Sequence, residues 1–487
     1  MADLAGALQR GELTSTELTT ALLERIGQID AGPGGLQAVL ALNPDVAEDA
    51  AAADRARAAG VRGPLLGVPV LVKDNVDTAA PLRTTAGSLA LADTFAAGDA
   101  PIVRALRGAG ALVMGKTNLS EWANYRSPRS SSGWSAVGGL TRNPHDRLRS
   151  AGGSSSGSGV AVAAGLAPLA IGTETDGSIS CPASLCGVVG IKPTVGLVPG
   201  AGIVPIAASQ DTAGPMARSV YDAAVLLSVL AGSGAVGDTA AGTGTGIDYV
   251  AAAEPGRLDG VRIGVPRGSS VFGYHRGADA AALAAIDVLA DLGAVIVDDV
   301  TFPDVDRLDD AEKVVLDHEI KVGLAEYFAR RGGDGPRSLG DVIAFNEASA
   351  ERELEWFGHE FLLDAEATTG LEAAAYRAAK ATYVEVTAEL DEARRAARLD
   401  AVAMPSFAPA WSIDLVNGDH PVGGCSTLAA ISGHPLVSVP CGTVAGPDGP
   451  LPVGLALTAG GGTEATLIRI AAAFEAVAGP APHPAGV

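Results

Sequence analysis

Residues 159–192 read GVAVAAGLAPLAIGTETDGSISCPASLCGVVGIK. A small-residue helix (159–165) runs into a strand, APLAIG (167–172), and after a Gly- and Ser-containing turn a second strand follows, GVVGIK (187–192). Neither strand alternates apolar with polar residues, so both are expected to be covered on two faces. Upstream, LLGVPVLV (65–72) has the same uninterrupted apolar character, and a helix over 100–109 leads into ALVM (111–114). Helices are predicted over 14–28, opened by a Thr/Ser cap, and over 44–59. Downstream come helix 218–231, strand 262–265, helix 277–292 and strand 294–298. Strand signals return at AVAMP (401–405), LVSVP (436–440) and PVGLALT (452–458), and a last helix covers 463–477.

Short strands alternating with helices imply helices on both faces of a mostly parallel sheet. The expected fold is α/β: a single large α/β/α domain, 1–487, with a twisted mixed β-sheet flanked by helices. Helices occupy 1–60, a core segment covers 61–230, and the charged, helix-forming residues 308–400 form an excursion placed to cover a site. The stretch 127–159 reads as a long polar loop, and GDTAAGTGTG (237–246) as a further loop.

The composition narrows the partners. Net charge is -22, from 34 basic and 56 acidic residues, a surface that repels phosphate backbones and anionic lipid heads. Nucleic acid and membrane are therefore not expected. The longest uncharged stretch, 151–173, begins with Gly and Ser, and its apolar part is only about 12 residues against the roughly 20 a span needs. Asp3, Arg10 and Glu12 interrupt any apolar leader, so the sequence as given reads as cytoplasmic, with a mature secreted form whose leader has been removed as the alternative. Cys181, Cys186, Cys425 and Cys441 show neither CxxC pairing nor neighbouring histidines. They are expected to be buried free thiols, with no metal and no other cofactor.

Two motifs mislead. GALVMGKT (110–117) fits the phosphate-loop spacing, but its intervening residues are strand-like and a helix does not begin at once after it. GSSSG (153–157) fits the nucleophile elbow, but a charged loop rather than a buried strand precedes it.

Three segments remain. Lys73 ends the apolar run of GVPVLVKDN (67–75), Ser154 lies in AGGSSSGSG (151–159), and Ser178 lies in GTETDGSIS (172–180). Taken alone, a strand-end lysine is a solvated edge residue and a serine before a helix is a cap. Together they answer a chemical need. A serine hydroxyl needs a base, and amide cleavage needs a proton for the departing nitrogen. A neutral lysine supplies both, directly or through a second hydroxyl. From about 10.4, deprotonation at pH 7.4 costs roughly 4 kcal/mol, and burial lowers a lysine pKa by up to about 3–5 units. A turn through Thr175, Asp176, Gly177 and Ser178 can aim several N–H groups at one oxyanion.

In this order, GVPVLVKDN, GKTNLSEWAN, AGGSSSGSGVAVAAG, GTETDGSISCPAS and GVVGIKPTVGLV resemble the amidase signature family. The similarity continues through PIAASQDTAGPMARS (205–219) and LPVGLALTAGGGTEATLIRIAAAFE (451–475), weakening over 232–400. The resemblance implies the amidase signature fold, with 61–230 as its signature core, and a lysine, a serine on a cis peptide bond and a nucleophilic serine as triad. By motif, Lys73 is the ultimate base, Ser154 the relay and Ser178 the residue acylated. The 24-residue interval from Ser154 to Ser178 agrees with the family's spacing. Thr175, Asp176, Gly177 and Ser178 then form the oxyanion hole. Ser155 helps to hold the site, and Ser156 and Ser158 are loop and cap residues.

Amidase subunits of tRNA-dependent amidotransferases usually carry arginine where this chain has Ser180. The sequence around NLSEWANYRSPRSSSGWSAVGG and GTETDGSISCPAS is instead similar to bacterial peptide amidases. The resemblance thus implies an amidohydrolase working through an acyl-serine intermediate, with peptide C-terminal amides as the leading substrate. The alternatives are a general aliphatic or aryl amidase and the amidase subunit of a tRNA-dependent amidotransferase. The partners expected are a small-molecule or peptide amide substrate, and the chain is expected as a monomer or homodimer.

Overall fold

The computed structural model describes residues 2–232, 247–268, 270–298, 300–303, 305–485 and 487. The loop expected over 237–246 lies outside them. The first strands in chain order are β1 (Val39–Leu42), β2 (Pro69–Lys73), β3 (Leu112–Thr117), β4 (Trp134–Ser135), β5 (Gly139–Leu140), β6 (Leu169–Glu174) and β7 (Val189–Lys192). They are followed by β8 (Thr212–Ala217), β9 (Arg262–Val265), β10 (Val295–Asp298), β11 (Ala401–Pro405), β12 (Leu436–Ala445) and β13 (Pro450–Thr458). Among the described residues, eleven strands form one sheet in the order β1-β3-β2-β6-β8-β7-β12-β13-β11-β9-β10, and β4 and β5 make a small hairpin.

The sheet is mixed. β2 runs parallel to β3 and β6, and β9 parallel to β10 and β11. Every other neighbouring pair is antiparallel, so the mostly parallel arrangement expected from strand–helix alternation gives way to antiparallel pairing across the middle. Two of these pairs arise from β8, which follows β7 in sequence yet inserts between β6 and β7, and three more from the antiparallel pair β12–β13 and its neighbours β7 and β11.

Successive residues of the central strands enter opposite cores, which is why they read as continuous apolar runs. Val70 and Val72 of β2, with Leu169 and Ile171 of β6, join one core, which also takes in the helices Pro101–Gly108, Val220–Gly232, Arg276–Asp291 and Glu464–Ala478. Leu71 and Ala170 point the other way, into a core completed by the helices Ser15–Ile29 and Ser156–Ala163. Helix Ser15–Ile29 starts where its sequence says. Thr14 Oγ1 accepts the Glu17 N–H at 3.0 Å while the Thr14 N–H donates to Glu17 Oε2 at 2.9 Å.

The segment after residue 308 is helical. Along the helix Asp309–Arg331, Leu316, Ile320, Leu324, Tyr327 and Phe328 share a core with Leu91, Trp122, Tyr125, Val204 and Ile206. This separate core seats the excursion against the loops that follow β2, β3 and β7. The stretch 127–159 is not a surface loop. Most of it is buried, it contains the β4–β5 hairpin, and the helix begins within it at Ser156. No helix among the described residues is long and apolar enough to cross a membrane.

Candidate active site

Lys73 ends β2 and Thr173 is the last but one residue of the parallel neighbour β6, and their side chains meet. Lys73 Nζ lies 2.8 Å from Ser154 Oγ, 2.8 Å from Thr173 Oγ1 and 3.2 Å from Thr173 O. Asn75 Nδ2 donates to the same Thr173 hydroxyl at 2.9 Å. Lys73 and Ser154 are wholly buried, and Ser178 keeps 6% of its surface exposed. Burial pushes the Lys73 ammonium down to about 7, with the Glu174 and Asp211 carboxylates opposing it.

Ser154 follows a cis peptide bond from Gly153. A Cβ at Gly153 would stand 2.3 Å from Ser120 Oγ, so the close passage of the loop needs glycine there. The neighbouring serines stitch the loop to the sheet. Ser155 Oγ donates to Thr173 O at 3.0 Å and accepts the Thr173 N–H at 3.1 Å, while the Ser155 N–H donates to Ser178 O at 3.1 Å. Ser158 Oγ donates to Ile171 O at 2.8 Å, and Ser156 Oγ donates to Gly152 O. None of them caps the helix. Its N-cap, Ser155, makes no side-chain capping bond, because these hydroxyls are taken up by strand and loop carbonyls.

The turn 175–178 is held at its margins and open at its centre. Glu174 Oε2 accepts the N–H groups of Ile179 at 2.6 Å and Ser180 at 2.8 Å. Thr175 Oγ1 donates to Asp211 Oδ1 at 2.6 Å, and Thr427 Oγ1 to Asp176 Oδ2 at 2.8 Å. Gly177 has φ 77°. Among the described residues, no acceptor takes the N–H groups of Asp176, Gly177 or Ser178. That leaves a set of free donors beside a serine hydroxyl, the arrangement that stabilises a developing oxyanion.

Four participants carried no signal of their own. Asn75 and Thr173 sit inside motifs read only for Lys73 and Ser178. Gln210, which donates to Thr175 O at 3.5 Å, and Asp211 sit in SQDTAG, where nothing local indicates contact with the turn. The misleading motifs resolve cleanly. Lys116 is buried at the end of β3 and bonded to Val76 O and Thr84 Oγ1, so its ammonium cannot meet a phosphate. No regular strand immediately precedes Gly153. The thiols of Cys181, Cys186 and Cys425 are free and buried, and that of Cys441 is free and partly exposed. No group of three or more His, Cys, Asp or Glu side chains is disposed to hold a metal among the described residues.

A mixed sheet carrying a buried lysine, a serine loop and a donor-lined turn defines a hydrolase of amides. The chain matches the amidase family over residues 17–468 and belongs to it. It is 46% identical to the peptide amidase of Stenotrophomonas maltophilia, whose crystal structure it matches with a TM-score of 0.90, covering 99% of this chain and 97% of that one. A second crystal structure of peptide amidase, bound to the competitive inhibitor chymostatin, matches with a TM-score of 0.91 at 46% identity, covering 99% and 98%. In sequence the chain is 37% identical to a glutamyl-tRNA(Gln) amidotransferase subunit from a Roseiflexus species, over 98% of this chain and 96% of that protein.

Proposed function

We propose that this amidase removes the C-terminal amide from peptides, with Ser178 as nucleophile, Ser154 as proton relay and Lys73 as base. The single observation that carries the mechanism is the contact between the buried Lys73 amine and the Ser154 hydroxyl. A neutral amine has two N–H donors and one lone pair, which suits its three neighbours: the two Thr173 oxygens accept, and the Ser154 O–H donates to nitrogen. As Ser154 yields its proton to Lys73 it takes one from Ser178, whose Oγ attacks the amide carbon. The tetrahedral oxyanion is received by the free N–H groups of the turn. The proton returns through Ser154 to the leaving nitrogen, and ammonia departs from an acyl-Ser178 ester. Water then attacks that ester by the same relay, giving acid and free enzyme.

Peptide amides are favoured over other amides by the high identity to peptide amidase across nearly the whole chain. Ser180 adds to this. Its N–H and Oγ both bond to Glu174, at the place where amidotransferase subunits usually carry arginine. A turnover panel of peptide amides, short aliphatic amides, aryl amides and glutamine tests the assignment. Peptide amides should have the highest kcat/KM, and a preference for any other class overturns it. Glutamine as the leading substrate is the outcome that would favour the amidotransferase reading.

A further inference from the structure

Residues 206–211 form a closed turn that touches the proposed oxyanion turn on one side and the helical excursion on the other. The Gln210 and Asp211 N–H groups donate to Ala207 O at 2.9 and 2.8 Å. Asp211 Oδ2 accepts the N–H groups of Ile206 at 2.9 Å and Ala207 at 3.0 Å, so the carboxylate braces its own turn. Its other oxygen, Oδ1, accepts the Thr175 hydroxyl at 2.6 Å. Three donors converging on one carboxyl group suit the ionised form, which only accepts, and bonds to such a group are short and strong.

On its far side the turn is fastened to the excursion. The Ser209 N–H donates to Glu319 Oε2 at 2.9 Å. The fully buried Gln210 donates from Nε2 to Glu312 Oε1 at 2.7 Å and accepts the Tyr383 O–H at Oε1, also at 2.7 Å. Glu312 and Glu319 belong to the helix Asp309–Arg331, and Tyr383 to the helix Ala374–Ala396.

Thr175 is where this bracket meets the chemistry. Its carbonyl shares a peptide unit with the Asp176 N–H, one of the donors that no acceptor takes among the described residues. A trans peptide is planar, with C=O and N–H pointing opposite ways, so whatever sets the Thr175 backbone also aims that N–H. Gln210 Nε2 reaches Thr175 O at 3.5 Å, a long contact. The short bond to Asp211 is the firmer hold. Threonine is stiff about χ1, so fixing its hydroxyl also fixes the backbone that carries it. We infer that Asp211 is a positioning residue, holding Thr175 by its hydroxyl so that the Asp176 N–H keeps its aim within the oxyanion turn. The 206–211 turn extends that hold from the excursion helices. The inference rests on the reading of Ser178 as the residue acylated.

The test measures kcat and KM for an N-acetylated dipeptide amide, together with melting temperature, in wild type, Thr175→Val, Thr175→Ser, Asp211→Asn and the double variant Thr175→Val/Asp211→Asn. Asparagine can still accept the Ile206 and Ala207 N–H groups through its oxygen, but it then offers Thr175 an N–H in place of an acceptor. Thr175→Val and Asp211→Asn should each lower kcat about 10- to 50-fold, less than the loss of a whole oxyanion donor, with KM within about threefold. Thr175→Ser should regain most of what valine loses. The double variant should fall within about threefold of the worse single one, because both changes break the same bond. A double variant whose loss is the product of the two single losses overturns the inference. So does a Thr175→Val that melts lower yet keeps kcat within about twofold of wild type, since a bond serving only the fold behaves that way. If Thr175→Val does not fold, Asp211→Asn decides alone: a raised KM at unchanged kcat overturns the inference. Rapid-quench mass spectrometry separates the two readings. Absence of an acyl adduct on wild-type Ser178 strikes the nucleophile assignment and this inference with it, whereas an adduct alongside wild-type kinetics in Thr175→Val strikes this inference only.

Discussion

Lys73 Nζ and Ser154 Oγ lie 2.8 Å apart with no solvent contact on either residue. Such an amine is expensive to charge. It ends a strand whose other residues are apolar, and among the described residues the oxygens that bond to it are Ser154 Oγ and the two of Thr173. The geometry therefore favours the neutral amine that a relay mechanism requires.

Activity should rise with pH through about 7, because burial brings the Lys73 pKa down to that value and only the neutral form accepts the proton. A kcat/KM profile that is flat from pH 5 to 8, with chemistry limiting, counts against Lys73 as base. The same depressed pKa has a consequence for stability. Unfolding restores the ordinary lysine value, so between about 7 and 10.5 the unfolded chain binds the extra proton and stability rises with pH. The interval corresponds to roughly 5 kcal/mol. Lys73→Met should remove this contribution and unfold at higher denaturant than wild type at pH 7, measured by urea titration.

Ser178→Ala should lower kcat by about 10⁴- to 10⁶-fold while the far-ultraviolet circular dichroism and melting curve remain those of wild type. Intact-protein mass spectrometry after rapid acid quench should show an acyl adduct in wild type and none in the variant. Normal turnover by the variant removes the nucleophile assignment.

Thr173→Val keeps the shape of the side chain but removes the acceptor shared by Lys73 Nζ and Asn75 Nδ2. The backbone carbonyl remains as a second anchor, so the lysine is loosened rather than freed. The loss of one buried hydrogen bond to a polar head group is about 1–3 kcal/mol, or roughly 10- to 100-fold in kcat. KM should change little, since Thr173 acts through Lys73.

Some of this was readable from sequence, and the reasons differ by element. β2, β6 and β7 could be located because strands buried on both faces leave continuous apolar runs. β8, TAGPMA, could not. Gly214 and Pro215 both weaken a strand reading, yet glycine is required there because a Cβ would meet Ile191 O at 2.0 Å. Strand direction was likewise hidden, since residue pattern reports burial and not orientation. At the site, Lys73, Ser154 and Ser178 each lie in a distinctive local motif. Gln210 and Glu312 are 102 residues apart and meet only through the fold, so no local pattern could announce them.

Arg126 tests whether the excursion is fastened where the structure fastens it. The guanidinium is fully buried, pairs with Glu121, lies 3.8 Å from Glu353 and rests against the rings of Trp134 and Phe357, which meet each other edge to face. Arg126→Met fills the space but leaves two buried carboxylates facing each other without a cation. Breaking such an ion pair from one side costs about 3–5 kcal/mol, which should appear as a melting temperature several degrees lower. Arg126→Lys should not restore it, because an ammonium lacks the planar fork that reaches the Phe357 and Gly358 carbonyls together.

Gly177→Ala probes the turn itself. At φ 77° an alanine is strained by about 1–2 kcal/mol, and its Cβ would meet Ser426 Oγ at 3.1 Å and Phe407 Cζ at 3.2 Å. Relief by moving Ser426 or Phe407 disturbs the loop next to Thr427, which holds Asp176; relief by rotating the backbone turns the free N–H groups away from one another. Either way the donors lose their common aim, and the loss falls on the transition state because the ground-state amide depends on them less. The expected result is a fall in kcat of about 10²- to 10³-fold with KM nearly constant, as for removal of one oxyanion donor. A variant that loses KM instead, at unchanged kcat, would show that the turn binds substrate without stabilising the oxyanion.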